Sequence, residues 1–163
     1  MPHDAAPRDG LLGLTYRQLV ALIALVNTFV ATYLHLWKIG KAGTLACGGG
    51  GGCALVQFSS WSWFLGLDVA LIGAVGYAVI LVTALWGART AAAEAVAPVI
   101  ALAALVFPAI LFTIRLKYAE WVVLRTFCPW CFVSTVSITL LGVLVVLEWR
   151  RVRTPARGRA AAG

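Results

Sequence analysis

The chain has 163 residues, of which 62% are hydrophobic and 12% charged, with a formal charge of +7. Soluble domains carry about 25% charged residues, and a chain this short has no interior large enough to hide so much apolar surface. A water-soluble globule is therefore excluded, and at a mean hydropathy of +0.94 a single integral membrane domain remains. The positive charge does not point to nucleic acid. The arginines gather at the C-terminus beside an apolar segment, as in a membrane-flanking tail.

Residues 1–13 lack the short basic-then-apolar pattern and cleavage site of a signal peptide. They read as an N-terminal tail, and the apolar run behind them as a retained helix. That run, 14–37, carries Arg17 near its start and His35 near its end. At 1.5 Å per residue, about 20 helical residues cross a hydrocarbon layer of about 30 Å, so this is a first span. Asn27, Thr28 and Thr32 interrupt it and are expected to bond to the backbone or to a neighbouring helix. His35 reads as an interfacial histidine without a chemical role.

Residues 38–66 form an outer loop. Gly40, Gly43 and the run 48–52 cannot sustain a lipid-exposed helix. Phe58, Trp61, Trp63 and Phe64, mixed with Ser59, Ser60 and Ser62, predict a short helix lying in the membrane interface. A second span covers 69–86, with Asp68 just outside it and with Gly73 and Gly76 placed to let a neighbouring helix come close. After a polar turn over 87–94, a third span covers 95–117. Pro98 suits its first turn and Pro108 is expected to kink it. Arg115, Lys117 and Glu120 signal emergence from the bilayer, although 121–124 is apolar again. The fourth span covers 128–147, Glu148 to Arg151 mark its exit, and 150–163 is a basic tail.

The fold class is thus an all-α membrane protein, a bundle of four transmembrane helices with a short interfacial helix in the first outer loop. Four spans place both termini on one side. Eight Lys and Arg residues then fall on the terminal side against five on the other, a bias towards cytoplasmic termini. The loop holding Cys47 and Cys53 and the start of the fourth span share the opposite face.

The chemistry lies in four cysteines, Cys47, Cys53, Cys128 and Cys131. The tetrapeptide Cys128-Pro129-Trp130-Cys131 opens a helix, where two residues of spacing bring two sulfurs within disulfide reach. Unsatisfied N–H groups and the helix dipole stabilise a thiolate there, lowering the thiol below its ordinary value of about 8.5. Pro129 occupies the first turn, where a missing N–H costs nothing. The pair Cys47 and Cys53 flanks five glycines. That connector is pliant and closes only a small ring, so a disulfide there is a weak staple and a good shuttle. Four thiols in two pairs suit an electron relay. A four-thiolate metal site, two inert structural disulfides and metal-ion transport stay open on the residues alone, although C-x5-C is wider than the usual zinc spacing.

Taken together these motifs resemble the vitamin K epoxide reductase family in its bacterial single-domain form. The likeness rests on the glycine-rich loop with two cysteines, Ser59 six positions after the second, Val69-Ala70-Leu71-Ile72-Gly73 opening the second span, and Phe127-Cys128-Pro129-Trp130-Cys131 opening the fourth. The cysteine order separates the chain from DsbB-type oxidases, in which the C-x-x-C pair comes first. The resemblance implies a four-helix bundle around a quinone (ubiquinone, menaquinone or a vitamin K-type molecule), with the interfacial segment as a lid. It implies that Cys131 faces the quinone and forms a charge-transfer or covalent intermediate. It further implies that Cys128 exchanges with Cys53, that Cys47 exchanges with an external thioredoxin-fold protein, and that Ser59 lines the quinone pocket. The chain departs from its relatives in four places, the first being a loop pair, C-x5-C, spaced a little closer than is usual. Asp68 stands where bacterial members usually have proline, Val69 where the family often has asparagine, and Thr135 where animal members have tyrosine.

The expected function is a quinone-dependent thiol-disulfide oxidoreductase of the bacterial inner membrane, active on its periplasmic face. A DsbA-like partner would act in trans, since no thioredoxin domain is fused to the chain. Such partners are oxidants at about −120 mV, so an acceptor of higher potential must regenerate them. The expected site comprises the four cysteines and, against the quinone, Ser59, Val69 and Thr135, with no resident metal. Epoxide or quinone reduction in a vitamin K cycle is the runner-up from the same fold, and a non-catalytic four-thiolate metal-binding membrane protein the runner-up from another class.

Overall fold

The structure, a computed structural model, describes residues 14–45, 47, 52–89 and 95–160, with the side chains of 154–160 excepted. The N-terminal tail, glycines 48–51, most of the polar turn and the far end of the basic tail lie outside the described residues.

Among the described residues, four helices are long and apolar enough to cross a membrane. The first, α1 (Tyr16–Lys38), starts where Thr15 caps it: the Thr15 side chain accepts the Gln18 N–H while the Gln18 side chain accepts that of Thr15. Then come a short helix α2 (Gly52–Gln57), a 3-10 turn (Ser60–Ser62) and a two-residue antiparallel hairpin of β1 (Trp63–Phe64) and β2 (Leu67–Asp68). The remaining long helices are α3 (Val69–Gly87), α4 (Ala97–Tyr118) and α5 (Pro129–Ala160), with a π turn (Ala119–Val123) extending α4.

Their order alternates up and down. The start of α1 meets the end of α3, the start of α4 and the far part of α5, because the Arg17 side chain donates to the Gly87 carbonyl, to the Ala95 carbonyl at 3.2 Å and to Glu148 at 2.8 Å. At the other end His35 and Lys38 meet Asp68, and the π turn meets Cys128. All four cysteines therefore belong to one end of the bundle. The core between the helices is built from Val20, Ala24, Ile80, Leu102, Val106 and Leu141. Outward faces stay apolar, with Phe29, Val82 and Leu111 exposed along the helices. In water such a surface would aggregate; against lipid tails it is neutral.

Several sequence expectations change in detail. Asn27, Thr28 and Thr32 do bond to the backbone one turn back, at Ile23, Ala24 and Thr28. The interfacial segment is not one helix but three short pieces, because the chain reverses at Leu65 and Gly66, both with positive φ. Phe58, Trp63, Leu65 and Leu67 all remain exposed on it, an apolar underside suited to the interface. A Cβ at Gly73 would lie 3.8 Å from Ala31, so α1 does come close there, whereas Gly76 meets nothing; both line a cavity. The close approaches are Gly87 on Pro98 and Gly142 on Ile110. Glu148, at the exit of the fourth span, is buried against Arg17, and the α5 helix continues beyond it to Ala160.

Candidate redox site

Each cysteine is positioned by a different device. Cys47 and Cys53 are joined in a disulfide. Cys53 lies in the first turn of α2 and is fully buried, whereas Cys47 is partly exposed. Gly52 explains the burial: a Cβ at this position would overlap the Phe127 carbonyl oxygen and lie 2.8 Å from Thr126 Oγ1. Only glycine lets the backbone before Cys53 rest on the backbone before Cys128.

Cys128 is the residue at which α5 begins. Its carbonyl accepts the Phe132 N–H at 3.0 Å and its Sγ accepts the Cys131 N–H at 3.3 Å, so a sulfur does the work of an N-cap oxygen. Cys128 and Cys131 are free thiols, the first fully buried and the second partly exposed. The hydrogen bond from the Cys131 side chain is the largest influence on Cys128 and holds its thiol below the ordinary value, against burial, which opposes it.

Below the tetrapeptide lies a cavity of about 440 Å³, within the range of about 300–1,000 Å³ usual for small-molecule sites. Cys131 lines it, and Cys47, Cys53 and Cys128 do not. Its walls are mostly apolar, including Leu34, Ile72, Leu105, Phe112 and Ile138. Ser59, Val69 and Thr135, expected to face a quinone, all stand on its wall. The Thr135 hydroxyl donates to the Cys131 carbonyl at 2.8 Å and that of Ser59 to the Val56 carbonyl at 2.8 Å.

Four further polar residues in the wall were not singled out from the sequence as site residues. Tyr77 Oη and Ser134 Oγ share a hydrogen bond of 2.9 Å one turn below Cys131. Asn27 is 3% exposed, and its Oδ1 has no partner although its Nδ2 donates to the Ile23 carbonyl. Glu120, 2% exposed, accepts the Cys128 N–H at 2.7 Å through Oε1 and the Lys117 ammonium at 2.6 Å through Oε2. A polar residue in an apolar span was the only available signal for Asn27. Glu120 gave none, since a Glu three residues after a Lys looks like a solvated helix end.

The segment roofing the cavity is pinned at several points. Lys38 reaches Ser62 Oγ at 2.9 Å and Asp68 at 2.8 Å, and His35 reaches the other Asp68 oxygen at 2.7 Å. His35 thus has a specific partner. Burial would raise the Asp68 carboxyl, but the Lys38 and His35 hydrogen bonds outweigh it and hold the group below its usual value. Asp68 also accepts the Ala70 N–H at 3.3 Å, capping α3. Trp37 packs on Phe58, Phe64 packs edge-on against Phe112, and the Arg115 guanidinium lies 4.9 Å from the Trp61 ring.

A helical membrane bundle with a disulfide and a C-x-x-C pair at one end, above an apolar cavity, can now be compared with known proteins. The sequence model of the vitamin K epoxide reductase family matches residues 17–146, most of the chain. The chain belongs to this family. Its members are membrane oxidoreductases associated with quinone-linked redox activity. The match runs from Arg17 at one end of the bundle to a residue just short of Glu148, and takes in every cysteine and every cavity residue named above.

Proposed function

We propose that the protein is a quinone-dependent thiol-disulfide oxidoreductase that accepts electrons from a thioredoxin-fold protein acting in trans. The observation that carries this reading is the unequal placement of the two free thiols. Cys131 borders the apolar cavity, while Cys128 is sealed beside the backbone that precedes Cys53.

Electrons move by thiolate exchange. A reduced partner attacks Cys47, the partly exposed end of the loop disulfide, and leaves as a disulfide with Cys47 and Cys53 reduced. Cys53 then attacks Cys128 of an oxidised Cys128–Cys131 pair and displaces Cys131; Cys47 attacks Cys53 and displaces Cys128, which restores the Cys47–Cys53 disulfide and leaves two thiols on α5. Those thiols give up two electrons and two protons and close again to a disulfide. Bound in the cavity, a quinone would take up those two electrons and two protons and leave as hydroquinone. Ser59, Val69, Thr135, Tyr77 and Ser134 would hold it, with Cys131 against its ring.

The cavity fits such a molecule. Its apolar wall suits a ring and an isoprenoid chain, and the unpaired Asn27 Oδ1 suits a hydroxyl donor, as hydroquinone carries. Relatives often place an asparagine where this chain has Val69; here an amide comes from α1 instead. The Lys and Arg bias supports a bacterial inner membrane setting, with cytoplasmic termini and the cysteines on the periplasmic face.

The test is quinone reduction by purified protein in detergent. Cys128→Ser and Cys131→Ser should each reduce turnover to background, with either a small dithiol or a reduced thioredoxin-fold protein as donor. Cys47→Ser should lose the protein donor yet keep part of the dithiol activity. Ligand linkage supplies a second readout: excess hydroquinone, kept reduced, should raise the melting temperature of Cys131→Ser, and Asn27→Leu in that background should diminish the rise. Full turnover by either α5 variant would refute the proposal.

A further inference from the structure

Glu120 is the one buried carboxylate in contact with the tetrapeptide among the described residues, and the electron route does not use it. It follows α4 on the π turn, where the backbone is wide. Ala119 and Glu120 are buried there, while Trp121, Val122 and Val123 face outward. The Glu120 carbonyl accepts the Thr126 N–H at 3.1 Å, which closes the connection to α5. One carboxylate oxygen takes the Cys128 N–H and the other takes Lys117, whose side chain is 15% exposed. An N–H at a helix start is ordinarily part of what stabilises an anion there. Here a carboxylate occupies that N–H, directly beside a thiol that must ionise, and a lysine balances the carboxylate.

We propose that Glu120 is a positioning residue which, as one half of the Glu120–Lys117 pair, sets how readily Cys128 becomes a thiolate. The Glu120 charge opposes ionisation of Cys128 and the Lys117 charge favours it, so the pair holds the thiol between two settings. Three groups bear on Cys128: Glu120 and Lys117 from the α4 end, and Cys131 from α5. Cys53, on α2, is held in a disulfide and does not titrate. A negative charge kept this close would hinder release of Cys128 as a thiolate when Cys47 displaces it from Cys53; the lysine prevents it from blocking the thiolate altogether. The inference deepens the reading above, because it assumes that Cys128 and Cys131 are the pair that reacts with the loop disulfide.

The experiment uses the full chain in detergent with Cys47→Ser and Cys53→Ser, so that only the α5 thiols titrate. Thiolate is followed by its ultraviolet absorbance as pH is raised. Glu120→Gln keeps an acceptor for the Cys128 N–H and removes the charge. It should move the first thiolate step down by about one pH unit, a tenfold rise in thiolate population at a fixed lower pH. Lys117→Met should move it up, and Glu120→Gln with Lys117→Met should return it to near the parent. A purely structural ion pair predicts equal effects in one direction from both single changes. That result, or an unmoved titration in Glu120→Gln, would overturn the proposal. Glu120→Ala, which also loses the acceptor, should fold less stably than Glu120→Gln, and this separates positioning from charge. The readout needs neither quinone nor partner protein, so it stands or falls apart from the electron-transfer reading.

Discussion

The two ends of the bundle both bury carboxylates, and they use them differently. At one end Glu148 pairs with Arg17 at 2.8 Å, and both side chains are 3% exposed. Arg17 also takes the carbonyls at the end of α3 and before α4, so one guanidinium ties four helices together, and it does not line the cavity below the tetrapeptide. At the cysteine end Asp68 and Glu120 are just as deeply buried, yet each faces a working part: Asp68 the roof segment and α3, Glu120 the Cys128 backbone. A buried ion pair is thus not a functional signal in itself. What it touches decides: Glu148 meets an arginine that gathers helix ends into a clamp, whereas Glu120 meets the backbone of the first tetrapeptide cysteine.

The contrast can be broken most forcibly at the clamp. Arg17→Ala or Glu148→Ala leaves an uncompensated buried charge and should cost about 3–5 kcal/mol. This is measurable by denaturant unfolding in detergent. The paired change Arg17→Met with Glu148→Leu should recover most of that loss, as apolar replacement of a buried pair does. Quinone reduction by the folded fraction should remain at the parent level, because the clamp lies at the end away from the cysteines.

At the cysteine end the largest effect is expected from Gly52→Ala. The added Cβ meets a carbonyl oxygen, not a pliable side chain, so the backbone must shift at a cost of about 1–3 kcal/mol. Rapid mixing with a reduced thioredoxin-fold donor should then find the loop pair still reduced at the parent rate and α5 reduced more slowly. Loss of both steps together would mean that Gly52 matters only for folding.

The smallest effect concerns Asp68, and it depends on pH. Its carboxyl titrates lower folded than unfolded, so its contribution is complete above the unfolded value of about 3.9 and fades as pH falls through the folded one. Asp68→Asn should therefore destabilise the protein at neutral pH. It should also flatten the loss of stability below about pH 4 that the parent displays. An unchanged acid limb would assign that loss to other carboxylates.

These comparisons also explain what could be read from sequence. Four spans were legible because runs of some twenty apolar residues are long signals that no local detail can mask. The helix start at the tetrapeptide was legible because Pro129 suits a first turn and C-x-x-C suits a helix N-terminus. The breakup of the roof segment was not, since a reversal with positive φ at Leu65 has no composition cue. Nor was Glu120. Its burial depends on a π turn, and one widened turn decides whether Glu120 or Trp121 points inward. Asp68 and Glu148 were visible as charges at span ends, but their partners lie 30 and 131 positions away at Lys38 and Arg17, beyond any local pattern.

The contact of Gly52 with Phe127 carries one more consequence. It fixes one end of the loop disulfide to the frame and leaves the partly exposed Cys47 at the other. On the proposed route the close approach at Gly52 keeps Cys53 beside the start of α5, and a visiting protein meets the partly exposed Cys47. Choice of donor and internal transfer then become separable traits. The surface near Cys47 can be re-engineered to dock a different thioredoxin-fold protein while the hand-over from Cys53 to Cys128 keeps its geometry.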